Sequence, residues 1–94
     1  MKTFKEFLLD DKNATEQSIY LPASAKVVNV SMTDTGLTLL ALVKHTGYNM
    51  EIPKNRIFKI CETNEIFYAN AVKYIGSFQS TLGTKHVIEI IKEQ

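Results

Sequence analysis

The groups in this sequence whose chemistry could be put to use are two histidines, one cysteine and one run of basic and aromatic residues. His86 stands in a strand-like stretch, on the same face as Ile88 and Ile90. An imidazole acts as a base or a ligand only beside a positioned partner, and the sequence holds no His-x-x-x-His pair, no acid pair beside His86 and no adjacent nucleophile. The expectation is a histidine hydrogen-bonded at a sheet edge, while His45, between Lys44 and Thr46, reads as a loop residue. Cys61 follows Ile60 and has only Lys59 as nearby positive charge, so it is expected to be a buried small apolar side chain rather than a nucleophile. Gly36, Gly47, Gly76 and Gly83 are too dispersed to cradle a phosphate. No catalytic residue, metal or cofactor is expected, and the chain reads as a non-enzyme.

The basic and aromatic concentration is Lys44, Tyr48, Lys54, Arg56, Phe58 and Lys59. On a β surface such residues can meet phosphates and stack bases, as oligonucleotide-binding barrels do. Glu51, Glu62 and Glu65 dilute the run, and lysines on an edge strand also prevent sheet-to-sheet aggregation, so the same residues serve two readings. Lys44, Tyr48, Lys54, Arg56, Lys59 and His86 are carried forward as the candidate binding residues.

The elements that must position these groups are short. Ninety-four residues suit one domain. A hydrophobic content of 45% against 22% charged residues lies in the range of chains that fold on a core of their own. The formal charge of +1 supplies no long-range field toward a polyanion or a membrane. One cysteine cannot build a disulfide framework within the chain. The longest apolar run, residues 37–43, is far short of a bilayer span, and acids occupy the N-terminal region where a secretion signal needs an apolar core. The expected location is the cytoplasm of a host cell, with no membrane contact.

Residues 17–21, ending at Pro22, form the first strand-length piece. Residues 25–33 and 37–44 flank Asp34-Thr35-Gly36, a tight-turn signal that predicts a hairpin. Alternation places Val28, Val30 and Met32 on one face of the first of these strands. The second is apolar on both faces, with Leu37, Leu39, Ala41 and Val43 on one side and Leu40 and Leu42 on the other, as expected of a strand inside the fold. A turn at Gly47-Tyr48-Asn49 leads into residues 50–52 and then to a strand over 56–61 whose facing is ambiguous. Residues 62–70 read as a loop or a single helical turn. Residues 72–80, with Val72, Tyr74 and Phe78 on one face, and residues 86–91 make a second hairpin about Gly83. The pattern predicts a mostly β domain, a small antiparallel sandwich or barrel of six to seven short strands. Residues 1–16 are an N-terminal segment preceding a β core over 17–94. Thr3 and Glu6 make a capping box with Phe4, Phe7 and Leu8 on one helical face, so a short helix over 1–11 and an edge strand from Phe4 are both open.

Ile19-Tyr20-Leu21-Pro22, residues 25–30, Leu40-Ala41-Leu42-Val43, residues 74–79 and His86-Val87-Ile88-Glu89 together resemble a family of small uncharacterised proteins of tailed bacteriophages and prophages, over most of the chain and in the same order. His86 falls on a position shared with that family. Its members typically carry a Gly-Thr-Gly-His-Pro segment where this chain reads Cys61-Glu62-Thr63-Asn64-Glu65, which puts any binding by that segment in doubt here. The first eight residues, Met1-Lys2-Thr3-Phe4-Lys5-Glu6-Phe7-Leu8, are similar to the capsid-targeting leaders of internal head proteins in T4-like phages, which are trimmed after a glutamate. The nearest candidate is Glu16, but Ala14 stands where that protease prefers Leu or Ile.

The resemblance and the lack of a catalytic set imply a non-enzymatic phage accessory protein that binds a host or anti-phage defence component through a sheet face or edge, with homo-oligomer formation as an option. The alternatives are an internal or head-associated virion protein delivered with the DNA, and a small nucleic-acid or nucleotide binder.

Overall fold

The computed structural model describes residues 1–13, 15–44 and 52–92. Within them lie strands β1 (Lys2–Leu9), β2 (Glu16–Pro22), β3 (Lys26–Thr33), β4 (Gly36–Lys44), β5 (Pro53–Glu62), β6 (Val72–Ser80) and β7 (Gly83–Ile90). They form a three-stranded sheet ordered β1-β4-β3 and a four-stranded sheet ordered β2-β5-β7-β6, with every pairing antiparallel. The expectation of a small mostly β sandwich holds. The helix considered for the N-terminus does not form. Residues 2–9 alternate as a strand and pair along their whole length with β4, which secures a hydrogen-bond ladder that an isolated two-turn helix could not match.

The core lies between the sheets. Leu37, Leu39, Ala41 and Val43 of β4 all point inward and are buried, as the sequence predicts, and Phe58, Leu21 and Val87 face them from the other sheet. Both predicted hairpins are present. Gly36 and Gly83, at φ 123° and 114°, take the positive φ that lets the β3–β4 and β6–β7 turns close. The proposed turn at 47–49 and its lead-in to residue 52 lie outside the described residues, apart from Ile52, which is exposed.

Two facing assignments are overturned, for one physical reason. A β-bulge between Val27 and Asn29 inserts Val28 as an extra residue in β3. Val27 and Val30 are therefore the buried inward residues and Val28 is displaced to the outside, while Met32 keeps the face of Val30 and is part-exposed near the end of the strand. A second bulge between Tyr74 and Gly76 does the same to β6, burying Ile75 and Phe78 and leaving Val72 and Tyr74 outside. Strict period-2 alternation cannot survive an extra residue.

The two bulged strands are the place where the sheets come closest. A Cβ built on Gly76 would sit 3.1 Å from Val30 Cγ1 and 3.7 Å from Asn29 Oδ1, so β6 approaches β3 at a distance only glycine permits without a shift. Gly76→Val is expected to lower the unfolding free energy by about 1–3 kcal/mol in urea titrations, with part of the loss recovered when Val30→Ala is added. A Gly76→Val protein as stable as the parent would contradict this close approach.

Candidate functional site

Alternation along β5 divides the basic run between two faces. Arg56, Phe58 and Ile60 take the inward phase, because Phe58 and Ile60 belong to the core, and Ile57, Lys59 and Cys61 take the outward one. Lys54 and Arg56 line a groove at one end of the sandwich. Lys59 lies on the opposite face, 3.0 Å from Glu65. Lys44 is at the end of β4 in the other sheet, and Tyr48 lies outside the described residues. The six candidates therefore do not form one patch.

The groove has a volume of about 640 Å³ and opens where the first residues of β5 and β6, the last of β7 and the β2–β3 turn meet. Its floor is an ion pair: Arg56 Nε and Nη2 donate to the two oxygens of Glu89 at 2.7 and 2.8 Å, and Nη1 donates to the Ala25 carbonyl. This two-point geometry locks the guanidinium plane and ties β5, β7 and the β2–β3 turn together. The two side chains are 16% and 7% exposed, so removing one partner leaves the other charged in a poorly solvated place. Lys73, directly across from Glu89 on β6, and Lys54 and Lys92 complete the polar lining, and the part-exposed Ile91 adds an apolar group. Among the described lining residues, four cations face one carboxylate, and that carboxylate is already bound to Arg56.

On the outer face of the four-stranded sheet, topology dictates the arrangement. β5 and β6 are both antiparallel to β7, which lies between them, so they run parallel to each other. β5 ends at the level of Lys85, and β6 begins at the level of Ile90, about 17 Å away along β7. Residues 63–71 must therefore cross β7. The bond of 2.9 Å between Thr63 Oγ1 and His86 Nε2 puts the crossing on the outer face, and Ile91 N donates to Ala71 O at 3.0 Å at its far end. The Asn64 φ of 70° turns the chain into the crossing. No helical turn forms there, and the loop alternative for 62–70 is the one found. Cys61 and Ile88, which face outward and stand apart from the central core, are nevertheless buried, at 4% and 5% exposure.

His86 sits under this strap on an interior strand rather than at a sheet edge. Its Nδ1 shares a 2.9 Å hydrogen bond with the Tyr74 hydroxyl and its Nε2 the bond to Thr63. Both partners are hydroxyls, which donate or accept, so either tautomer is satisfied and the ring serves to anchor the strap. Burial pushes the Cys61 thiol above its ordinary value, with the Lys59 charge partly opposing and Glu65 adding. Hydrogen bonding and charge from Lys59, with a further bond from the Glu62 backbone, hold the Glu65 carboxyl below its ordinary value. Among the described residues, no group of three His, Cys, Asp or Glu side chains is placed to hold a metal ion.

The outer face of the three-stranded sheet has no such cover among the described residues. Its rows, read across β1, β4 and β3, are Lys2-Lys44, Phe4-Leu42-Lys26, Glu6-Leu40-Asn29 and Leu8-Thr38-Ser31. Phe4 and Leu8 are 61% and 58% exposed, and the bulged Val28 adds a third apolar group. Three lysines collect at one end beside Phe4 and Leu42, and Lys2 stands directly opposite Lys44, an arrangement that costs roughly 0.2–1 kcal/mol. Lys5 takes the core-facing phase of β1 yet is exposed, an inward charge of the kind that keeps an edge strand from pairing with another chain. The sequence reading does not bring Lys2, Phe4 and Leu8 to a sheet face because it leaves residues 1–11 open between helix and strand, nor does it bring Lys26 there, whose place beside Leu42 follows only from pairing. The Lys2-Phe4-Glu6-Leu8 alternation was the available signal. It also missed Lys73, Glu89 and Lys92, which only strand pairing brings to Arg56.

The comparisons add a family. The profile of DUF7352, a domain of unknown function, matches residues 1–94, and the chain belongs to that family. Searches of curated proteins and of solved structures gave no match.

Two expectations follow. Glu89→Gln should destabilise the fold by about 3 kcal/mol, whereas Arg56→Met with Glu89→Met should cost less than the sum of the singles in a double-mutant cycle; additive losses would contradict the coupling. The Cys61 thiol stays protonated in the folded chain at a pH where the unfolded chain ionises it, so the unfolded state binds fewer protons. Stability should then fall as pH rises through 9.0 more steeply than in Cys61→Ala, and parallel curves for the two proteins would contradict this.

Proposed function

We propose that this protein is a non-enzymatic binding protein, a bacteriophage or prophage accessory factor, that docks a host or anti-phage defence protein on the outer face of its three-stranded sheet. The observation that carries the reading is the exposure of Phe4 and Leu8 beside half-buried Leu40 and Leu42, on a face that no described segment covers. Burying either exposed side chain fully against a partner is worth roughly 1.5–3 kcal/mol. Lys2, Lys26 and Lys44 at one end of the face specify a partner that presents apolar residues flanked by carboxylates. Among the described residues the ion pairs are Arg56–Glu89 and Lys59–Glu65, so these three lysines are available to it. The phage context rests on the resemblance of the strand sequences.

The virion alternative has less support. Cleavage after Glu16 would remove the whole of β1, including the buried Leu9 and the ladder along β4. The reading is tested by affinity capture from infected and uninfected host cells with the parent protein and with Phe4→Ser/Leu8→Ser. A protein retained by the parent and lost with the double variant is expected, its retention weakening as salt is raised. Identical capture by the two, or none by the parent, overturns it.

A further inference from the structure

We propose that the groove floored by Arg56 and Glu89 is a second, separate binding site, for a small phosphate-bearing molecule. The guanidinium makes three hydrogen bonds through Nε, Nη1 and Nη2, which leaves one N–H on each terminal nitrogen for a ligand. Glu89 and the Ala25 carbonyl fix the plane in advance, so little freedom is lost when an anion binds. Glu89 cancels the charge of Arg56, and the excess positive charge comes from Lys54, Lys73 and Lys92 around the rim. Three ammonium groups with no ion pair among the described residues, beside a planar fork, suit a diphosphate or a phosphate ester, with several oxygens and two to three negative charges, better than a single carboxylate. The volume of about 640 Å³ exceeds a bare phosphate, and the part-exposed Ile91 among the lining residues offers an apolar contact to the rest of the molecule. Among the described lining residues there is no aromatic side chain on which the bases of a nucleic-acid strand could stack.

The site and the sheet face share no residue, which makes the two readings separable. Titration calorimetry at low salt with pyrophosphate, with adenosine triphosphate and with an oligothymidylate is the test, on the parent, on Lys54→Ala/Lys73→Ala, and on Phe4→Ser/Leu8→Ser. Both lysines are exposed and take no part in the ion pairs among the described residues, so the fold of their double variant should be intact, which its melting curve checks. Saturable binding of pyrophosphate or the nucleotide is expected, weakened about tenfold or more by the lysine double variant and unchanged by the sheet-face variant. No heat of binding from either small molecule overturns the proposal, as does equal affinity in the lysine variant. Tighter binding of the oligothymidylate than of both small anions overturns it in favour of a nucleic-acid groove.

Discussion

Strand order in the four-stranded sheet is the constraint from which the surface of the molecule follows. Because β7 separates two strands that run in the same direction, the chain between them has to return along the length of β7 on one face. That return covers Cys61 and Ile88 on the outer side of one sheet, with Thr63 on His86, Glu65 on Lys59 and Ala71 on Ile91 as its fastenings. The outer side of the other sheet receives no equivalent segment among the described residues, and β4, apolar on both faces, leaves Leu40 and Leu42 there half-covered. The molecule is thus two-sided in a chemical sense: strapped on one face, apolar and basic on the other.

The same economy governs the space between the sheets. At the bulges of β3 and β6 the strands approach so closely that a Cβ at Gly76 would press on the Val30 side chain. At the end where β5 and β6 begin, a charged pair within the four-stranded sheet reaches the β2–β3 turn through the Arg56 bond to the Ala25 carbonyl, and the groove remains open around it. An apolar plug would have closed that end at lower desolvation cost, since a buried ion pair is seldom more stable than a well-packed hydrophobic replacement. Arg56 and Glu89 are therefore better understood as defining a mouth than as the most stable filling for it.

Much of the architecture was legible in the residues. Both hairpins were readable because Asp34-Thr35-Gly36 and Gly83 carry local turn chemistry, and the interior position of β4 was readable because its apolar residues fill both phases. What escaped were features that alternation cannot encode. A bulge shifts every later side chain by one phase, so Val28 and Tyr74 were assigned to the wrong side. β1 carries helical capping signals and gains its strand identity only from β4. The basic run was visible as composition, but Arg56 and Lys59 are three apart on a strand and must face opposite ways. The partners that give Arg56 its setting, Glu89 and Lys73, are distant in sequence and arrive through pairing alone.

The contrast between a covered and a bare sheet face carries the functional account, and carbene footprinting of the free protein with residue-level mass spectrometry addresses it directly. Heavy labelling of Phe4 and Leu8 with protection of Cys61 and Ile88 is the predicted outcome. Labelling of Cys61 and Ile88 with protection of Phe4 and Leu8 would contradict it.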